Sequence, residues 1–123
     1  MKLRFRDNSL RLRVNRREVQ ALAAGTALAE CVYFPGGSTL SYTLEPADHP
    51  GHQASFEQGR IHVYAPGQEV RQWASSEAIG LYFELPAGET QLRIAVEKDL
   101  ECVEASPDEY DPEAFPRESI KNC

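Results

Sequence analysis

Residues 2–14 read KLRFRDNSLRLRV, and this stretch decides how the fold begins. Apolar and basic residues alternate on both sides of Asp7-Asn8, a dipeptide that suits a two-residue turn because both residues tolerate a positive φ. The alternation therefore predicts a β-hairpin with strands over 2–6 and 9–14. Its register pairs Phe5 with Leu10 and Arg4 with Arg11, so that apolar and basic residues lie on opposite faces. The basic side carries Lys2, Arg4, Arg6, Arg11 and Arg13.

A short helix is expected directly after this hairpin. Asn15 is a favourable N-cap, Glu18 stands at the capping-box position, and Gly25 is suited to end the helix. Two further strands, roughly 27–34 and 39–45, are separated by a Pro-Gly-Gly turn. The first 45 residues thus predict a ββαββ unit.

The pattern then repeats at an offset of 49 to 52 residues. LRVNRREVQAL is echoed by IHVYAPGQEVRQW, and FPGGSTLSYTLE by LPAGETQLRIAVE. This ordered series predicts a duplicated unit, spanning about 2–45 and 54–97, with pseudo-twofold symmetry. The resulting α+β fold has eight mostly antiparallel strands and two helices, arranged as a barrel or as two layers. We expect one domain over 1–103 and an acidic C-terminal arm over 104–123.

Composition indicates an ordinary globular chain. In 123 residues, 41% are hydrophobic and 26% are charged, which is typical of a single folded domain. No apolar run approaches the roughly 20 residues of a membrane helix, and the beginning of the chain carries no secretory signal. Three cysteines, Cys31, Cys102 and Cys123, are too few and of the wrong parity for a disulfide framework. We therefore expect a soluble cytoplasmic protein.

Charge is distributed unevenly along the chain, whose net charge is -6. Residues 1–20 carry a local charge of +5, and residues 97–123 carry a local charge of -6. A basic beginning and an acidic end are the main electrostatic feature of the sequence.

The basic side of the first hairpin allows three interpretations. Arg4 opposite Arg11 is a like-charge pair, which is unfavourable unless something neutralises it; the second repeat pairs Glu57 with Arg60 instead, so the fold does not demand the basic side. In the first interpretation the basic side is a solvated face. In the second it is neutralised by acidic residues of the same chain, and in the third it binds an external anion such as a phosphate. Nucleic acid is disfavoured, because the protein is acidic and no aromatic residues interleave with the arginines.

Other candidate sites carry less weight. Asp48, His49 and His52 in DHPGH are possible metal ligands, but their spacing is that of a turn and we expect no metal. No phosphate loop, nucleophile elbow or Ser-His-Asp arrangement is present in recognisable context. The sequence therefore predicts neither a catalytic residue nor a cofactor.

Several stretches resemble a family of small uncharacterised bacterial proteins. Members begin MKIRxRxNS[IL]RxR, carry EKDFxC after a late strand, and end with an acidic segment and Phe/Tyr-Pro-Asn-Pro. The matching positions here are Lys2, Arg4, Arg6, Asn8, Ser9, Arg11, Arg13, Glu18, Trp73, Glu97, Lys98, Asp99 and Cys102. The tail departs from the pattern, because Arg117 stands where the family has Asn. The resemblance implies a bacterial, cytoplasmic, single-domain protein and no particular reaction.

A more distant similarity is to the triphosphate tunnel enzymes, whose antiparallel eight-stranded barrel binds triphosphate with alternating basic residues. This chain lacks their opening Glu-x-Glu-x-Lys, which supplies metal-binding carboxylates. Without paired carboxylates no metal assists phosphoryl chemistry. The resemblance therefore leaves anion binding as an expectation and makes catalysis a secondary one.

Glu97, Lys98 and Asp99 follow the last predicted strand. Lys98 would face an anion in one interpretation; in the other, Glu97 and Asp99 pair with the arginines of the first two strands, because terminal strands are often adjacent. We favour the second. The candidate anion ligands are Lys2, Arg4, Arg6, Arg11, Arg13 and Lys98, and the candidate acidic partners are Glu97, Asp99, Asp108, Glu109 and Asp111.

These features predict a non-enzymatic binding or interaction module whose basic hairpin is neutralised or masked by its own acidic end. Its partner would be a small phosphate-containing anion, or a protein that binds the acidic arm. The alternative is a phosphate-ester or triphosphate hydrolase of the tunnel type. A requirement for a divalent metal in ligand binding would distinguish the hydrolase from the module.

Overall fold

The computed structural model describes residues 1–100 and 112–115. The first hairpin consists of β1 (Lys2–Arg6) and β2 (Ser9–Val14). Phe5 is opposite Leu10 and Arg4 is opposite Arg11, so the register predicted from the alternation is confirmed.

Helix α1 (Arg16–Ala23) begins at the predicted cap. The backbone N–H of Glu18 donates to Asn15 Oδ1 at 2.9 Å, and the backbone N–H of Asn15 donates to Glu18 Oε1 at 2.9 Å. This reciprocal capping box satisfies two donors that the first turn leaves without an intrahelical partner. Val19 and Leu22 are buried, which fixes the helix against the core.

The remaining elements follow the predicted order. They are β3 (Leu28–Tyr33), β4 (Thr39–Ala47), β5 (Gln53–Glu57), β6 (Arg60–Pro66), α2 (Gly67–Ala74), β7 (Gly80–Ala87) and β8 (Thr90–Lys98). No helix in this described part of the chain has the length and apolarity needed to cross a membrane.

The strands form two four-stranded sheets with the orders β1-β2-β8-β7 and β3-β4-β6-β5. Each sheet joins two antiparallel hairpins through a central parallel pair, β2 with β8 and β4 with β6. The α+β class with eight strands and two helices is confirmed, and both sheets are mixed.

The barrel that the sequence left open is wrong, since the described strands form no closed barrel. Strands β1 and β7 end one sheet, and β3 and β5 end the other. Closure would require these edges to pair with one another. Instead, each sheet turns one face to a common hydrophobic core, so both remain open.

That core contains residues from both sheets and both helices. Its members include Leu12 and Val96 from the first sheet, Leu44 and Val63 from the second, and Trp73 from α2. The indole N–H of Trp73 donates to the carbonyl of Ile79 at 3.0 Å, so the polar atom of this buried ring is satisfied.

Residues 112–115 return to the end of the first sheet. The backbone N–H of Arg16 donates to the Glu113 carbonyl at 2.7 Å, and that of Phe115 donates to the Asp99 carbonyl at 2.6 Å. The Phe115 ring lies 5.9 Å from the Arg16 guanidinium carbon and 5.5 Å from Lys98 Nζ. This part of the predicted arm thus packs at the start of α1 rather than across the basic hairpin. Asp108, Glu109 and Asp111 lie outside the described residues.

Candidate anion site

The outward side of the β1-β2-β8-β7 sheet carries the basic residues of the first hairpin, and we call it the basic face. The strand registers place its side chains in three rows across the sheet. The rows are Lys2–Arg13–Glu97–Gly80, Arg4–Arg11–Ala95–Tyr82 and Arg6–Ser9–Arg93–Glu84.

One end of the basic face is neutralised by the end of β8. Arg11 Nε lies 2.9 Å from Glu97 Oε1, and Arg13 Nε lies 3.8 Å from the same oxygen. Lys2 Nζ lies 2.7 Å from Asp99 Oδ2. The structure therefore brings three of the candidate anion ligands together with two of the candidate acidic partners.

The pKa values of two residues at this end are shifted by burial and by the neighbouring charges. Burial lowers the pKa of Arg13, and the charge of Arg4 lowers it further; Glu97 acts in the opposite direction. Burial also raises the pKa of Tyr82, whose hydroxyl donates to Glu97 Oε2 at 2.7 Å. Glu97 thus accepts a hydrogen bond from Tyr82 and forms ion pairs with Arg11 and Arg13.

The other end of the basic face keeps a net positive charge, because its arginines outnumber Asp7 and Glu84, the two carboxylates that also line the groove. Within the described residues, the side chains of Arg4, Arg6 and Arg93 make no ion pair. They surround a groove of about 850 Å³, together with Arg11, Ser9 and Tyr82. Ala95 lies at the centre of its row, between Arg11 and Tyr82, and its short side chain leaves open space between longer neighbours. Arginines converging on open space are suited to binding an oxyanion.

Arg93 is a candidate ligand that the sequence reasoning missed. It lies beside Ser9 because β2 and β8 are parallel neighbours, a long-range pairing that local patterns do not reveal. A signal was nevertheless present: Leu92, Ile94 and Val96 alternate with Arg93, so an outward Arg93 follows from the period of a strand.

Lys98 lies on the opposite side of β8 from this groove. It is only 7% exposed, and its ammonium donates to the Ser76 carbonyl at 2.7 Å, just beyond the end of α2. Burial lowers the pKa of Lys98, and Glu77 opposes that shift. Of the six candidate anion ligands, the structure thus places Lys98 apart from the other five.

The outward side of the second sheet differs in charge. Among its described residues, Arg60 is opposite Glu57, and His62 stacks on Tyr64 with ring centroids 4.3 Å apart. His62 Nε2 also lies 3.5 Å from Glu45 Oε2. A cluster of cations is therefore a property of the first sheet, and the second sheet supplies matched control positions.

The histidines of DHPGH are spread over different neighbours. His52 Nε2 lies 2.7 Å from Glu69 Oε2, and its ring centroid lies 4.3 Å from that of Phe83. His49 lies against Tyr64 with centroids 6.5 Å apart. The described part of the chain holds no group of three or more His, Cys, Asp or Glu side chains arranged for a metal.

Comparison with known proteins gives the family and no more. A family of unknown function (DUF7009) matches residues 1–119, and the chain belongs to this family. Neither the curated proteins nor the solved structures contain a match. The resemblance to a family without an assigned function is thereby confirmed.

Proposed function

We propose that this member of the family is a non-enzymatic binding module that takes a phosphate-containing anion on its basic face. One observation carries the proposal: Arg4, Arg6, Arg11 and Arg93 converge on one groove, and only Arg11 among them has an ion-pair partner in the described structure. Such a cluster is unfavourable until an anion or solvent screens it.

The geometry favours an anion with several oxyanion groups. Residues opposite each other on neighbouring antiparallel strands have Cβ atoms about 5 Å apart, as Arg4 and Arg11 do by register. Guanidinium groups bind phosphate oxygens through paired hydrogen bonds. A di- or triphosphate offers enough oxygens to contact several of these arginines at once.

The chain's own acidic end supports the same proposal. Glu97 and Asp99 neutralise one end of the basic face and leave the groove end open. We propose that this division limits binding to a small anion. An extended nucleic acid would also meet the rest of a molecule with a net charge of -6. A protein partner bound through the acidic arm is a second proposal, independent of the groove.

The tunnel-type hydrolase is the rival function. It requires carboxylates close enough to share a metal ion. Asp7 and Glu84 line the groove, but they lie at opposite sides of the four-stranded sheet. Three strand spacings separate β1 from β7, roughly 14 Å. This separation favours the binding module.

We also propose that the chain arose by duplication, with pseudo-twofold symmetry relating its halves. The elements β1-β2-α1-β3-β4 and β5-β6-α2-β7-β8 have the same order, which supports the proposal. Each sheet combines the first hairpin of one half with the second hairpin of the other. We propose a cytoplasmic location as well, and the sparse cysteines support it because disulfides are rare in reducing compartments.

Calorimetric titration with tripolyphosphate at low salt tests the function. We expect binding by the full chain, and a loss of about tenfold in affinity for Arg93→Gln, because one charge-assisted contact is removed. Arg60→Gln removes the same charge from the other sheet and is the matched control. No binding, or an equal loss in both variants, would contradict the proposal. Binding that requires magnesium would favour the hydrolase.

A further inference from the structure

An apolar cleft lies between the two sheets near the turns of the β1-β2 and β5-β6 hairpins. Its volume is about 300 Å³, at the lower end of the range for small-molecule sites. Its lining is almost wholly apolar and comes from both sheets: Phe5, Leu10, Leu40, Ala54, Phe56 and Ile61. We call it the apolar cleft.

Two phenylalanine side chains at the edges of the apolar cleft are unusually exposed for aromatic residues. Phe5 is 61% exposed and Phe56 is 69% exposed, while Leu10 and Ile61 at its floor belong to the buried core. The cleft is therefore a continuation of the core that opens to solvent. Covering it with an apolar group would remove this surface from water, which is favourable in proportion to the area covered.

The apolar cleft and the basic groove share a wall. Phe5 and Leu10 line both, and Arg4 and Arg6 flank Phe5 on the edge strand β1. An apolar cavity and an unpaired cationic cluster thus lie on the two sides of one strand. A ligand with an apolar chain and an anionic head satisfies both features, whereas an inorganic anion satisfies only one.

We propose that the apolar cleft holds the chain of a free, single-chain anionic amphiphile whose head group binds Arg4 and Arg6. This inference rests on the proposed function, because the head group uses arginines of the same basic face. It narrows the ligand from any phosphate-containing anion to one that carries an alkyl or acyl chain.

A second copy of the protein fits the cleft less well. In a twofold dimer the same surface patch contributes from both subunits. Burying Phe5 in such an interface would bring Arg4 and Arg6 close to the same residues of the other copy, and like charges would oppose association. An anionic amphiphile supplies the opposite charge instead.

Calorimetric titration of the full chain with dodecyl phosphate, below its micelle concentration, tests this proposal. Inorganic phosphate and the neutral dodecyl maltoside are the matched probes. We expect dodecyl phosphate to bind at least about tenfold more tightly than inorganic phosphate, since burial of even two methylene groups accounts for such a factor. We expect it to bind about tenfold more tightly than the maltoside as well, because only the phosphate makes charge-assisted hydrogen bonds with arginine. Equal affinity for dodecyl phosphate and inorganic phosphate would overturn the role of the cleft. Equal affinity for the maltoside would overturn the role of the arginines.

Substitutions test where the apolar chain and the head group of the ligand bind. Leu40→Trp fills the apolar cleft and is expected to abolish the preference for dodecyl phosphate, and Ala54→Phe serves as a second filling variant if the first does not fold. Ile79→Trp is the control, because Ile79 is 42% exposed, lies before β7 at the other end of the first sheet and does not line the cleft. Arg6→Gln should weaken dodecyl phosphate binding, whereas Arg60→Gln should not. Loss of the preference in Ile79→Trp alone would overturn the assignment.

Two further measurements separate this inference from its rivals and from the proposed function. Sedimentation with anionic phospholipid vesicles should leave the protein in solution, and co-sedimentation would overturn a free amphiphile in favour of a membrane surface. A dimer that Phe56→Asp dissociates would overturn it in favour of a second copy. If tripolyphosphate binds but dodecyl phosphate shows no preference over phosphate, the proposed function stands and this inference fails.

Discussion

Single residues along β8 alternate between two environments, and Lys98 is a charged residue on the buried side. Its ammonium is buried beside the Trp73 ring, 5.7 Å from the centroid, and donates to a carbonyl at the end of α2. A cation near the C-terminal end of a helix is favourable, because the last carbonyls carry partial negative charge. Burial of the charge opposes this gain and lowers the pKa of Lys98.

The pH dependence of stability follows from that shift. The unfolded chain binds a proton at Lys98 more tightly than the folded chain does, so folding stability attributable to Lys98 rises with pH up to about 10.5. The melting temperature of the wild type minus that of Lys98→Met should therefore be larger near pH 10.5 than at neutral pH. Thermal melts of both proteins over this range measure it. A difference that is constant or falls with pH would contradict the environment described for Lys98.

At the scale of elements, the parallel pair of β2 and β8 holds the basic face together. Glu97 on β8 lies between the two arginines of β2, and its side chain is only 13% exposed. We expect Glu97→Gln to lower the free energy of unfolding by about 1–3 kcal/mol, because charged hydrogen bonds in a poorly solvated position are lost. The same change should increase affinity for tripolyphosphate at low salt, since a competing negative charge is removed.

Chemical denaturation and calorimetry measure these two effects on the same samples. Glu57→Gln is the control, because Glu57 is an exposed carboxylate on the second sheet. It should change neither stability nor anion affinity appreciably. A Glu97→Gln protein with unchanged stability, or with weaker anion binding, would show that Glu97 does not neutralise the basic face.

The same pair of strands shows what the sequence could and could not predict. The β1-β2 register follows from local alternation and a two-residue turn, and the cap of α1 follows from Asn15 and Glu18. The parallel neighbour of β2 is 84 residues away by register, so no local pattern indicates it. For this reason the closure by Glu97 was inferred from adjacency of the terminal strands, while Arg93 and the central Ala95 were not anticipated.

On the scale of the whole molecule, the basic beginning of the chain and its acidic end are far apart in sequence but partly in contact in the fold. The described piece of the acidic arm packs at α1, where Glu113 Oε1 lies 3.5 Å from Arg17 Nε. Removing residues 104–123 should therefore lower the melting temperature by loss of packing and hydrogen bonds at every salt concentration. It should lower it further at low salt, because negative charge is removed from a chain with a basic beginning.

Melting temperatures of the full chain and of residues 1–103, at low and high salt, measure these contributions. Phe115→Ala in the full chain is the control that removes packing without changing charge. It should lower the melting temperature by a similar amount at both salt concentrations. If residues 1–103 are as stable as the full chain at low salt, the arm has no part in neutralising or supporting the first sheet.

Amide chemical-shift mapping shows directly whether the groove on the basic face binds an anion. The full chain, labelled with ¹⁵N, is titrated with tripolyphosphate at low salt. We expect saturable shifts that cluster at Arg11, Arg93 and Ala95, with little change at Thr43 and His62 on the second sheet. Shifts spread evenly over both sheets, or centred on the second sheet, would contradict it.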